Sequence, residues 1–250
     1  MPKFFVNNNQ IKENRITITG EDVNHIINVL RMKKDDVIEI CDLNNGINYL
    51  SSILEYNKEN VICEIIEELE NNNEPNIDIT LFQGVPKFDK MELIIQKNTE
   101  IGIKEIVPVN MTRCIAKVKD NKKIERWNKI AAIAAKQSMR NVIPIVKQPM
   151  NFEEMCKILN EFNYIFLAYE KEEINTLKQE LKKIDKNKKE KYKIGIIIGP
   201  EGGITNQEIE KLTKCNNVRT ITLGKRILRT ETAGLVLSSN IIYELDDWFM

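Results

Sequence analysis

From residue 77 onward the chain alternates short apolar runs with stretches of helical period, an order that few folds satisfy. The apolar runs cover residues 77–85, 106–109, 164–169, 194–198 and 218–223. The helical stretches cover 91–101, 122–139, 152–160, 174–184, 207–214 and 230–245. Runs such as Ile194-Gly195-Ile196-Ile197-Ile198 are apolar throughout, as strands covered on both faces are. Strand–helix alternation of this kind predicts an α/β domain whose parallel sheet carries helices on both sides.

The first 72 residues have another rhythm. Segments of period-2 alternation at 15–19, 37–41, 48–54 and 60–66 are separated by turns such as Asn44-Asn45-Gly46, which predicts a small β-rich module. A short helix over 22–30 interrupts it, with Val23, Ile26, Ile27 and Leu30 on one face. The polar stretch Glu70-Asn71-Asn72-Asn73-Glu74-Pro75-Asn76 has no hydrophobic period and is the linker candidate. Two domains are therefore expected, residues 1–72 and 73–250.

Composition excludes more than it proposes. The 37 Lys and Arg are balanced by 37 Asp and Glu, so no global attraction to polyanions is expected. The balance is uneven along the chain: residues 1–72 carry 7 cations against 13 carboxylates, a net charge of −6, and the remainder carries +6. That permits nucleic-acid binding through the larger part without demonstrating it. The five cysteines are scattered and never spaced C-x-x-C, which fits reduced thiols and argues against a disulfide frame or a metal site. A single histidine, His25, leaves little scope for histidine-based catalysis; beside the apolar face of the first helix it reads as structural. There is no apolar window long enough to span a membrane and no secretory apolar region at the N-terminus, so a cytoplasmic protein is expected. Trp127 and Trp248 read as packing anchors, and the charged stretch 185–193 as a solvated turn.

Two loops concentrate the chemistry. Gly199-Pro200-Glu201-Gly202-Gly203 follows an apolar strand directly, and Thr205 stands three residues before Glu208 as a capping box for the next helix. Strand, glycine turn and helix together present backbone N–H groups to a ligand at the carboxyl end of a sheet. The plainer reading is a tight turn that needs glycine. Neither G-x-G-x-x-G nor G-x-x-x-x-G-K-[ST] occurs, so dinucleotide and P-loop sites are unsupported. After the next strand comes Leu223-Gly224-Lys225-Arg226-Ile227-Leu228-Arg229-Thr230-Glu231-Thr232-Ala233. A solvated loop explains Lys225 and Arg226 easily, but Arg229 and Glu231 less well, since they adjoin a closely packing helix. Two such loops on successive strands favour one shared pocket.

These two loops, with Met1-Pro2-Lys3-Phe4-Phe5-Val6, His25-Ile26-Ile27-Asn28-Val29-Leu30-Arg31-Met32, Gln83-Gly84-Val85-Pro86-Lys87, Arg113-Cys114 and Arg140-Asn141, resemble the ribosomal RNA small subunit methyltransferase E family. That family belongs to the SPOUT, or trefoil-knot, methyltransferases. The pairing of G-P-E-G-G-[IL] with L-G-x-R-[IV]-L-R-x-E-T-A is its most specific part, and the likeness runs through nearly the whole chain. It implies an N-terminal PUA-like β-barrel, a C-terminal SPOUT domain with a knotted parallel sheet, and a homodimer. The implied activity is methylation of N3 of a uridine in 16S rRNA by S-adenosylmethionine, with no metal, on rRNA within the small ribosomal subunit. This chain departs from the family pattern near Lys136 and Met139, where Glu and Gly are expected.

Given that activity, position in the loops and residue chemistry name candidate site residues. The cofactor would lie on Leu167, Ile198, Gly199, Glu201, Gly202, Leu223, Gly224, Ile227, Leu228 and Thr232. A uracil N3–H is a poor nucleophile until its proton leaves, so a cation near the flanking carbonyl oxygens and a proton acceptor would assist. Arg229 is the candidate for the first role and Glu231 for the second. Arg15, Arg31, Lys87, Arg113 and Arg140 are the RNA-binding candidates, while most surface lysines, Lys119 among them, read as ordinary solvated charges. Two rivals stay open here: the same fold acting on another RNA position or base, and a non-catalytic RNA-binding or ribosome-assembly factor.

Overall fold

The computed structural model describes residues 1–118, 121–186 and 190–246; Lys119, Trp248 and the centre of the charged stretch 185–193 lie outside them. The chain divides into two compact units. One is Met1–Glu74 with Ala135–Ile143, the other Pro75–Ala134 with Pro144–Met250.

In the first unit, β1 (Lys3–Val6), β2 (Ile11–Lys12), β3 (Arg15–Thr19), β4 (Val37–Asp42), β5 (Asn48–Tyr56) and β6 (Asn60–Leu69) form a sheet ordered β1-β4-β5-β6-β3-β2. All pairs are antiparallel except β1 with β4. Register shifts between Leu50 and Ser51 and between Ile53 and Glu55 bend β5, as bulges do, and help curl the sheet. The core is the inward row Phe4, Val6, Ile16, Ile18, Ile38, Ile40, Ile53 and Val61, closed by Val23 and Ile26.

The expected helix over 22–30 takes another form. A single α-turn, α1 (Glu21–Asn24), continues as a π-turn over His25–Val29, with the Leu30 N–H donating to the His25 carbonyl five residues back. The wider turn rotates later side chains off the predicted face: Val23 and Ile26 are buried, but Leu30 is 40% exposed. His25 is also exposed, its ring edge-on to Phe4.

The linker candidate is tied down. The Asn71 carbonyl accepts from the side chains of Asn48 and Asn141, both at 2.9 Å, and Asn73 donates to the Met139 carbonyl at 2.7 Å. Lys3, buried, pairs with Glu39 at 3.0 Å and donates to Asn141. These bonds gather residues 135–143 into the first unit.

In the second unit every strand pair is parallel. Its elements run β7 (Asp78–Gly84), α2 (Lys90–Ile101), β8 (Glu105–Asn110), α3 (Asn121–Gln137, last turn in the first unit), β9 (Ile145–Val146), β10 (Met150–Asn151), α4 (Phe152–Ile158), β11 (Tyr164–Ala168), α5 (Leu177–Leu181), β12 (Lys193–Ile198), α6 (Asn206–Leu212), β13 (Val218–Ile221) and α7 (Thr230–Leu245). The sheet order is β10-β8-β7-β12-β11-β13, with β9 beside β8. β12 is buried from Ile194 to Ile198, as its unbroken apolar run predicts. α5 is shorter than residues 174–184: the Thr176 side chain caps it and Lys182 closes it. Trp127 is buried in the core.

Candidate functional site

Three βα loops, leaving the carboxyl ends of β11, β12 and β13, converge around a cleft of about 940 Å³. Carboxyl-end crevices of this kind are where open parallel sheets bind ligands. The β12 loop is the glycine turn. The Gly203 N–H donates to the Pro200 carbonyl at 2.9 Å, and Gly203 sits at φ +70°, where a Cβ would come 2.8 Å from Glu170 Oε1. The backbone angle favours glycine, and a side chain there would also push the Glu170 carboxylate aside. Behind the turn, the Thr205–Glu208 capping box starts α6 as the sequence predicts.

The β13 loop, residues 222–229, carries Gly224 at φ +109° with nothing within 4 Å of where a Cβ would stand. Its end is fixed by Thr230, whose hydroxyl donates to the Gly199 carbonyl at 2.7 Å and accepts from the buried Gln83 amide at 2.8 Å. Both cleft loops are thus locked to β7. The β11 loop is held by Glu172, which accepts the N–H groups of Ile174 and Asn175 at 3.0 Å and the Thr220 hydroxyl at 2.7 Å. Those bonds, the Asn175 N–H foremost, hold its carboxyl below the usual range.

Of the sequence candidates, Ile198, Gly199, Glu201, Gly202, Leu223, Gly224, Ile227, Leu228 and Arg229 line the cleft. Ile227 stands at its mouth, 86% exposed. Leu167 is fully buried in the core, and its neighbours Ala168 and Tyr169 line the cleft instead. Thr232 and Glu231 are not lining residues; the helical turn presents Thr230 and Ala233. Arg229 is exposed, with no side-chain hydrogen bond or ion pair among the described residues.

Sequence reasoning missed Lys90. Its ammonium lies 3.1 Å from Glu201 and 3.3 Å from Glu231, bringing the glycine turn, the start of α7 and the start of α2 together. A signal existed: Lys90 opens a helix, where the dipole disfavours a cation unless carboxylates compensate. Burial raises the Glu201 carboxyl, but backbone N–H groups, including that of Lys87 at 3.1 Å, and the Lys90 ammonium outweigh it and leave it low.

Among the RNA candidates, Arg113 is exposed and donates to the Gly202 carbonyl at 2.9 Å, and Lys87 is half-buried beside Glu201. Arg15 and Arg31 are exposed on the first unit. Arg140 is a correction: it is 3% exposed and its guanidinium is committed to Glu74, so no phosphate reaches it. Burial pushes the Cys41 thiol up to about 11 and that of Cys63 to about 12, which removes both as nucleophiles. Among the described residues no group of three or more His, Cys, Asp or Glu is placed to hold a metal, and no helix is long and apolar enough to cross a membrane.

The RNA methyltransferase domain model matches residues 72–242 and the RNA methyltransferase PUA domain model residues 18–66. Ribosomal RNA small subunit methyltransferase E of Bacillus subtilis is 38% identical over 98% of both chains, and that of Mesomycoplasma hyopneumoniae 35% identical over 97% of this chain and 99% of its own. Among solved structures, the Neisseria gonorrhoeae ribosomal RNA small subunit methyltransferase E bound to S-adenosyl methionine superposes with a TM-score of 0.86 at 30% identity, covering 99% of each chain. The two matched domains are those of an RNA methyltransferase with an N-terminal PUA domain, and the chain belongs to the ribosomal RNA small subunit methyltransferase E family.

Proposed function

We propose that this protein transfers a methyl group from S-adenosylmethionine to N3 of a uridine in 16S rRNA, working in the cytoplasm as a homodimer on the small ribosomal subunit. The observation that carries the reading is the cleft itself: glycine main chain at Gly199, Gly202, Gly203 and Gly224, apolar walls from Ile198, Leu223, Leu228 and Ala233, and carboxylates at Glu170, Glu172 and Glu173. An adenosine fits apolar walls and main-chain hydrogen bonds, and the cationic end of S-adenosylmethionine fits carboxylates. Bound there, it supplies an electrophilic methyl on a sulfonium.

The residues of this chain supply position and charge. Arg229, exposed and unpaired among the described residues at the cleft wall, is assigned to the uracil carbonyl oxygens, where negative charge gathers as the N3 proton departs. Glu231, set behind the lining residues and paired with Lys90 at the cleft wall, is assigned to accept that proton, Lys90 holding its carboxylate in place. The N3–carbon bond forms as the carbon–sulfur bond breaks, leaving a neutral thioether. Holding acceptor and methyl in line accounts for much of the rate. Arg113 and Lys87, beside the glycine turn, and Arg15 and Arg31 on the PUA domain are assigned to RNA. α7 leaves Tyr243 exposed on a largely apolar helix, which suits a second subunit; light scattering should report twice the 29.1 kDa chain mass.

Mass-spectrometric mapping of 16S rRNA from cells with and without the protein tests the function. One N3-methyluridine should disappear in its absence. Equilibrium dialysis with S-adenosylmethionine separates an enzyme from a non-catalytic RNA-binding factor.

A further inference from the structure

We propose that Phe88 is a nucleobase-stacking residue, on whose ring a base of the RNA substrate lies at the mouth of the cleft. The proposal rests on the RNA-methyltransferase reading above and adds to it the group that receives the base.

Phe88 is unlike an ordinary loop residue in two ways. Its side chain is 89% exposed, and its backbone sits at φ +56°. Exposure forfeits the burial that makes an aromatic ring favourable in a folded protein. The left-handed backbone adds strain that bulky side chains normally avoid. Folding recovers neither cost, and strain of this kind gathers where function fixes the residue.

The surroundings point to the ligand. Phe88 lies between Lys87, whose N–H is fastened to Glu201 of the glycine turn, and Asp89, which leads to the cleft-lining Lys90. The Lys87 ammonium has no ion-pair partner among the described residues, and the exposed Arg113 reaches the same turn through Gly202. A bare ring one residue from Lys87 and two from the cleft-lining Lys90 suits a flexible polyanion that carries flat bases. Single-stranded RNA binds in that way, bases on aromatic faces and phosphates on Lys and Arg. Ile227 and Ile174 are also exposed near the cleft, but an aliphatic side chain offers no π-face. An enzyme that modifies a ring nitrogen must draw the base from its stack, and a ring at the entrance replaces part of the stacking lost.

Three variants test it: Phe88→Ala, Phe88→Gly and Phe88→Trp. With unmodified small ribosomal subunits as substrate, and a uridine-rich single-stranded oligoribonucleotide as binding probe, Ala and Gly should weaken RNA binding and raise KM for RNA about ten-fold. Affinity for S-adenosylmethionine should not change. Phe88→Gly should be no less stable than the parent, since glycine accepts the backbone angle. Phe88→Trp should keep RNA affinity, and the fluorescence of its added indole should be quenched when RNA binds. Unchanged RNA affinity and KM in both Ala and Gly variants would overturn the proposal. So would indole emission in the Phe88→Trp variant that is indifferent to bound RNA, or an altered oligomeric state with RNA affinity intact, which would assign the ring to a protein contact. A parent protein that binds the cofactor yet methylates no RNA would instead bring down the functional reading, and this proposal with it.

Discussion

The ammonium of Lys90 stands 3.3 Å from Oε2 of Glu231 and 3.1 Å from Oε1 of Glu201, so one cation joins the first turn of α7 to the glycine turn. Its pKa is raised, first by the hydrogen bond to Glu201, so the bridge is fully present at neutral pH and is lost only as pH rises past the ordinary lysine range. Lys90→Met should lower kcat at least ten-fold, because Glu231 loses the group that aims it and two carboxylates are left to repel each other. Lys90→Arg should recover part of that loss. Steady-state kinetics at saturating RNA checks this; a parental kcat in the Met variant would show that Glu231 is positioned by something else.

Arg229→Ala and Glu231→Gln are expected to cut turnover while leaving cofactor affinity in place. Calorimetric titration with S-adenosylmethionine beside single-turnover rates separates the two effects. Weakened cofactor binding matched to the rate loss would move these residues from chemistry to binding.

Glu208 joins the loop that carries Arg113 to the turn that carries Gly203. Its carboxylate accepts the N–H groups of Thr112 and Thr205, each at 2.9 Å, and the Thr205 hydroxyl at 2.8 Å. Burial raises its pKa, but those N–H groups outweigh burial and leave it below the usual range. A depressed folded pKa means stability that is present above the unfolded value, about 4.3, and lost as pH falls through the folded one. Glu208→Gln presents one accepting oxygen instead of two and no charge. It should cost roughly 2 kcal/mol at pH 7, and its urea midpoint should fall less steeply than the parent's between about pH 5 and pH 3.

How much of this was legible depends on where the determinants lie. α7 spans Thr230–Leu245, as its period predicts, and β12 follows from five apolar residues in a row. β1 was missed because both its faces are covered: Phe4 and Val6 enter the main core of the first unit, and Phe5 packs with Cys41 and Ala135, which erases the alternation that marks a strand. The docking of residues 135–143 with the first unit was also hidden. It depends on polar pairs such as Lys3 with Asn141 and Arg140 with Glu74, far apart in sequence and silent in any local pattern. In the cleft the glycine turn could be read directly. Lys90 left only the hint of a cation at a helix start, because its two carboxylates lie more than a hundred residues away, on the glycine turn and in α7.

Gly224 is the cleanest probe of the cleft. A Cβ at Gly202 would press on Arg113 at 3.1 Å and disturb that contact first, whereas at Gly224 it would meet no protein atom within 4 Å. Gly224→Val should therefore reduce S-adenosylmethionine affinity at least ten-fold, while the strain at φ +109° costs about 1–3 kcal/mol and lowers the unfolding midpoint by several degrees without unfolding the protein at room temperature. Unaltered calorimetric affinity would remove this loop from the cofactor site.

Met139 occupies a position made for glycine. The Arg140 N–H donates to the Ala135 carbonyl and the Met139 N–H to that of Lys136, the bond pair that closes a helix when the residue between turns left-handed. Met139 does so at φ +59°. A side chain there adds steric strain of about 1–2 kcal/mol, while glycine would raise the entropy of the unfolded chain by about 0.5–1 kcal/mol. Met139→Gly should therefore stabilise the protein by at most about 1.5 kcal/mol, seen as a higher urea midpoint at unchanged slope. The Lys136–Asp22 pair at 2.6 Å precedes the turn and should be unaffected. If the glycine variant proved less stable, contacts of the half-buried methionine side chain within the first unit would outweigh the strain of its backbone.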